Sequence, residues 1–226
     1  MLPSLAMMDR LKEKPLFTIN QFCLLTGLPK RYAAVRLNRM VKKGVIFRIE
    51  KGKYTAYDDP ILFSSHIVQP SYLTLWSALA FHGFTTQLPR EVFVAARARP
   101  RKLVFGETTI AFIRAEPLGF QKAAYRGMDI FVAEPEKLLI DIVATGLVPL
   151  SETEELLTAI DPKKVAAYAL RTENKALIRR IGFILDEHRY AAENLLSQRD
   201  GNYIMLVKGG RRKGHINRKW RIIDNR

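Results

Sequence analysis

The sequence is poor in what a disulfide scaffold, a membrane span or a familiar enzyme requires. Cysteine occurs once, at Cys23, in 226 residues. A lone cysteine forms no disulfide within the chain, which suits a reducing, cytoplasmic compartment. Set in an apolar helical pattern, Cys23 reads as a small buried hydrophobe. No run of about 18 apolar residues is present, so no transmembrane helix and no membrane partner is expected. The opening stretch MLPSLAMMDRLKEK has no charged start followed by a long apolar segment, and does not read as a secretory signal. GxxxxGK[ST], GxGxxG and HExxH are all missing. One cysteine rules out a multi-cysteine zinc site, and His66, His82, His188 and His215 are scattered without ligand spacing. His82, at the end of an apolar helical pattern, reads as a packed or capping histidine. Asp129, Glu134, Glu136 and Asp141 cluster in sequence, but no Gly-Ser phosphate loop precedes them. The expectation is a protein that is not an enzyme and has no cofactor, metal or catalytic residue.

Acidic residues are scarce at the two ends of the chain. Lys and Arg number 37 against 22 Asp and Glu, a formal net charge of +15. Residues 1–57 hold 12 basic and 3 acidic residues, residues 208–226 hold 8 and 1, and the middle is balanced. Two cationic regions flanking a neutral body point to a polyanionic partner, nucleic acid being the commonest. With 48% apolar residues the chain can build a real core and is no disordered basic tail.

What is present begins with local punctuation. Residues 7–14 read as a short helix. Thr18 is a good N-cap for the next, with Ile19, Phe22 and Cys23 at helical spacing. Gly27 suits a left-handed helix end and Pro29 the first turn of a new helix. That helix runs to about Lys43, with Ala33, Ala34, Leu37, Met40 and Val41 as its apolar stripe. After Gly44, VIFRIE and YTAY alternate like strands, joined by EKGK, a hairpin signal around Gly52. Helix, helix, hairpin is the order of a winged helix-turn-helix, whose second helix enters the major groove while the wing lies along the backbone. Lys30, Arg31, Tyr32, Arg36, Arg39, Lys51 and Lys53 are the candidate DNA-binding residues. Tyr32 is equally open to packing at the helix N-terminus, and the whole module to use as a protein-contact surface.

Beyond Asp58–Asp59–Pro60, a helix is expected from Ser71, as its cap, to Gly83. Strand-like runs EVFVAA, KLVF, TIAFIR and MDIFVA follow, and then EPEKLLIDIVATG as a helix with Pro135 in its first turn. Ser151 and Glu154 have capping-box spacing, Asp161–Pro162 is another helix start, and YIMLV and KWRII read as strands. The fold class is α+β: residues 1–62 form the winged helix-turn-helix, and residues 63–226 a mixed domain with a short sheet, several helices and a basic tail.

The order of these motifs resembles the AbiEi-type antitoxins, the regulators of type IV abortive-infection toxin–antitoxin pairs. YLTLWSALAFHG, VFVAARARPR, IFVAEPEKLLIDIVA and KWRII carry the resemblance, most specifically Ser71–Gly83 and Ile130–Val143. It implies a cytoplasmic repressor of its own operon that binds repeats in its own promoter on double-stranded DNA. It also implies an antitoxin against a nucleotidyltransferase-like toxin encoded alongside, opposed without a stable complex. Only the DNA-binding role of residues 30–53 carries over.

The tail holds Lys208, Arg211, Arg212, Lys213, Arg218 and Lys219 around Gly209 and Gly210. These are a second candidate nucleic-acid patch, or a solvated loop with Trp220 anchoring the following strand. ARARPRK, with Arg97, Arg99, Arg101 and Lys102, reads as surface or site alike. An RNA-binding protein with an accessory winged helix and a cationic protein-interaction adaptor are the other readings.

Overall fold

The computed structural model describes residues 5–87, 89–198, 201–210 and 213–226. Contacts divide the chain into two units, Met1–Leu73 with Pro89–Pro117 and Gln121–Val132, and Thr74–Leu88 with Leu118–Phe120 and Ala133–Arg226. The segment 1–62 thus shares its unit with later strands.

In the first unit the punctuation residues set the N-terminal elements. Helix α1 is Leu5–Lys12, strand β1 Phe17–Thr18, α2 Ile19–Thr26 and α3 Lys30–Lys42. Thr18 caps α2, and Gln21 bonds back to the Thr18 amide at 2.7 Å, a capping box that satisfies two orphan donors at once. Gly27 has φ 69°, and Pro29 lies just outside α3 as its N-cap, not in its first turn. Strands β2 (Phe47–Glu50) and β3 (Lys53–Thr55) form the hairpin, in a three-stranded sheet of order β1-β3-β2. Ala33, Leu37 and Met40 of α3 bury against Leu11, Phe17, Phe22, Ile46 and Tyr54.

The same unit continues through helix α4 (Pro60–Ser64) and strands β4 (Ser71–Leu73), β5 (Glu91–Ala96), β6 (Arg101–Phe105), β7 (Thr108–Arg114), β8 (Phe120–Tyr125) and β9 (Met128–Ala133). They make a six-stranded mixed sheet of order β6-β7-β5-β4-β9-β8, larger than the short sheet expected. Residues Ser71–Leu73 correct the sequence reading: they are strand, not the first turn of a helix. Ser71 pairs with Ala96 on β5 and Leu73 with Val132 on β9, so this segment satisfies its backbone on both sides while Tyr72 and Leu73 are fully buried. The Ser71 hydroxyl donates to the Ser65 carbonyl at 3.0 Å and caps nothing.

In the second unit, helix α5 starts at Leu75 and runs to His82. Helices α6 (Pro135–Thr145), α7 (Glu154–Thr158), α8 (Pro162–Arg171) and α9 (Lys175–Glu187) follow. Strands β10 (Ile204–Met205), β11 (His215–Asn217) and β12 (Ile222–Asp224) form a small sheet of order β10-β12-β11. Asp161 caps α8, accepting from the Lys163 amide at 2.9 Å. The Ser151–Glu154 capping box does not form: Leu150–Thr153 is a 3₁₀ turn, and Ser151 lies inside it.

Helix α6 buries Glu136, Lys137 and Asp141 among its apolar residues. Each is satisfied. Glu136 accepts from the Asp161 amide at 3.1 Å, Lys137 pairs with Asp141, and the Thr74 hydroxyl donates to Asp141 at 2.8 Å. Helix α9 is buried along the whole of Leu177–Leu185. The Trp220 ring packs directly against Gly182, with the indole N–H donating to Asp186 at 3.0 Å.

Candidate nucleic-acid interface

Helix α3 is built from KRYAAVRLNRMVK, five cations and no acid. Its buried stripe fixes which side faces out. Lys30, Arg31, Arg39 and Lys42 are exposed and Arg36 half-buried, and Lys43 continues the row at the helix end. Tyr32 is 65% exposed. Arg31, Tyr32, Arg36, Arg39 and Lys43 line one shallow groove with Val35. An α-helix is about 10–12 Å across with its side chains, which matches a major groove about 12 Å wide.

Among the described residues none of these cations of α3 has an ion-pair partner, whereas the basic run at 97–102 is largely neutralised. Arg97 pairs with Glu116, Arg101 with Glu50 at 2.7 Å, and Lys102 with Glu91 at 2.7 Å. That patch is a set of structural ion pairs. The contrast has a physical meaning. Unpaired cations on one helix keep their field for an outside anion, while paired ones cancel at short range.

The hairpin divides its lysines. Lys51 is exposed at the turn. Lys53 turns back, pairing with Glu50 at 2.8 Å and donating to the Ile67 carbonyl. Glu50 thereby sits between Lys53 and Arg101. Partial burial raises its carboxyl pKa, but the two cations more than offset this and hold it below the ordinary carboxylate range. The Gly52 carbonyl, at φ 80°, accepts from the Ile19 amide at 3.0 Å, which ties the turn to the start of α2. Lys43 was missed in sequence, although its place four residues after Arg39 on the same helix face was the available signal.

Residues 6–57 match the family model of the AbiEi antitoxin transcriptional regulators. The AbiEi match meets the resemblance drawn from the motifs. It covers the helices and hairpin, however, and not the Ser71–Gly83 and Ile130–Val143 segments on which that resemblance leaned most. No curated protein matches the sequence. The fold is similar to that of the RV2827C protein from Mycobacterium tuberculosis, with a TM-score of 0.64 over 95% of this chain and 88% of that one, at 12% identity. At that identity the likeness establishes fold alone.

The tail residues are spread over several settings. Lys219 pairs with Asp186 at 2.6 Å and lies over the Trp220 ring. Lys208 donates to the Ala144 carbonyl at the end of α6. Lys213 and Arg218 are exposed, and Arg211 and Arg212 lie outside the described residues. His82 is packed, its ring Nε2 bonded to the Ala133 carbonyl at 2.8 Å. Among the described residues no group of three His, Cys, Asp or Glu could hold a metal ion, and no helix is long and apolar enough to cross a membrane.

Proposed function

We propose that the chain is a DNA-binding transcriptional repressor of its own toxin–antitoxin operon. In this reading α2, α3 and the β2–β3 hairpin act as a winged helix-turn-helix and residues 1–62 are the DNA-binding domain. Helix α3 lies in the major groove, where Arg31, Arg36 and Arg39 read base edges or hold phosphates, with Lys30 and Tyr32 at its start. Lys51 contacts the backbone from the wing, and Lys53 steadies the wing from behind. Residues 63–226 are the regulatory part, acting in the cytoplasm against a nucleotidyltransferase-like toxin encoded alongside, without a stable complex. The observation that carries the reading is the row of unpaired cations on the outer face of α3, within a segment that matches a family of transcriptional regulators.

The test is binding of the full chain to the DNA upstream of its own gene, measured beside a random duplex and a structured RNA over a range of salt. Preference for the upstream duplex is expected. If about six phosphates are contacted, log affinity falls with log salt at a slope of roughly −5. Equal binding to both duplexes, tighter binding to RNA, or a flat salt dependence overturns the proposal.

A further inference from the structure

A guanidinium taken out of water loses several kcal/mol of hydration, so arginine is almost never buried without an anion beside it. Arg180 on α9 is 8% exposed. Its Nε donates to the Met205 carbonyl at 2.8 Å, which engages one of five donors. Among the described residues no carboxylate pairs with it. Burial, and then the neighbouring Arg179, push its pKa below the ordinary arginine value. Lys208 is exposed and its ammonium donates to the Ala144 carbonyl; desolvation, and then the charge of Arg180, hold it below the usual lysine range. The same unit does supply acids elsewhere, to Lys219 and to Arg226, so acids are not lacking in general.

The guanidinium lines a pocket of about 450 Å³ with Tyr203, Ile204, Met205 and Ile223, a size within the range of small-ligand sites. Tyr203 is 43% exposed in this pocket. An arginine fork suits a phosphate, and a half-exposed aromatic ring beside it suits the flat face of a base. Elsewhere in the molecule the large apolar groove between the end of α6 and α9 has nothing to identify an occupant, and in the acidic run at 152–155 Glu152 already accepts from the Gln87 side chain at 3.3 Å.

We propose that Arg180 and Tyr203 form a nucleotide-phosphate site in the second unit. The phosphate belongs to a free nucleotide or to a strand. The site shares no residue with the α3 interface, so each proposal can fail alone.

The experiment is calorimetric titration of the full chain, at fixed ionic strength, with thymidine monophosphate, thymidine, inorganic phosphate and an eight-residue oligothymidylate. Thymidine monophosphate is expected to bind and thymidine not. Arg180→Met, which keeps the volume and removes the charge, should weaken monophosphate binding at least tenfold. Arg171→Ala on α8, which removes an exposed charge, should leave it unchanged. Tyr203→Ala should weaken the nucleotide but not inorganic phosphate. A gain for the oligomer that Arg180→Met abolishes assigns the ligand to a strand, and no gain assigns it to a free nucleotide. Equal binding by wild type and Arg180→Met, equal loss in Arg171→Ala, or no binding of any phosphate overturns the proposal. A measurement on wild type alone guards against misfolding of the variant: phosphate should raise the melting temperature above that in chloride of equal ionic strength, and no rise counts against the site.

Discussion

Gly182→Ala sets two effects of opposite sign against each other. Helix propensity alone favours alanine over glycine in a helix interior by about 0.8–1 kcal/mol. Packing opposes it. A Cβ at position 182 would stand 2.1 Å from Trp220 Cζ3, 2.3 Å from Cη2 and 2.8 Å from Cε3. Carbon atoms in contact rest at about 3.5–4.0 Å, so the ring must withdraw by roughly 1.5 Å. It has nowhere to go. Trp220 is fully buried, its amide donates to Asn217 at 2.9 Å and its indole N–H to Asp186 at 3.0 Å. Overpacking costs about 1–3 kcal/mol, and a broken bond to a carboxylate a further ~1.5–3 kcal/mol. Net of the propensity gain, destabilisation of about 1.5–5 kcal/mol is expected, or roughly 3–20 °C for a chain of this size at about 2–4 °C per kcal/mol. Thermal unfolding followed by circular dichroism reads it directly. In a Trp220→Leu background the same substitution should be far milder, giving a coupling energy of about 2 kcal/mol in the double-mutant cycle. A melting temperature that rises in Gly182→Ala would refute the packing argument outright.

Four further outcomes are expected. Arg31→Ala and Arg36→Ala should each lose about 1–3 kcal/mol of affinity for the upstream duplex if they read bases, and unchanged binding in both sinks the assignment of α3. Lys51→Ala should weaken upstream and random duplexes alike, and a loss confined to the upstream sequence would show that the hairpin does more than hold phosphate. Asp141→Ala removes the carboxylate beside the Lys137 ammonium, whose side chain is 5% exposed, and should cost about 3–5 kcal/mol in urea unfolding, largely recovered by adding Lys137→Met. The Asp186 carboxyl is held below the ordinary carboxylate range by Lys219 first and the Trp220 indole next, against burial. A depressed folded pKa means stability fully present above the ordinary value and lost as pH falls through the lowered one. Asp186→Asn should therefore show a flatter acid limb of stability against pH, and coincident limbs would contradict the linkage.

The parts of the fold legible in the sequence are those decided within a turn or two of chain. Thr18, Gly27 and Asp161 each act on neighbours within four residues, and each stands where it was expected. Ser71–Leu73 was misread because its partners, Ala96 and Val132, lie far along the chain, and no local pattern announces a three-residue central strand. Strand β8 went unseen for a related reason: Lys122, Ala123 and Ala124 have little strand propensity, and the sheet supplies what they lack. The cationic face of α3 was legible because its charges have no partners to hide them. The neutrality of the run at 97–102 was not, since Glu50 and Glu116 reach it only through the fold. Arg180 was passed over because an arginine in a helix reads as solvated until the surroundings are known.

A helix hidden on every side, as α9 is from Leu177 to Leu185, has no outward face on which substitutions can accumulate harmlessly. Its backbone amides can reach solvent only when the packing around them comes apart, so they belong among the last protons of the molecule to exchange. Any group displayed from such an element is aimed by the most rigid part of its unit, and holds its direction whether or not something is bound.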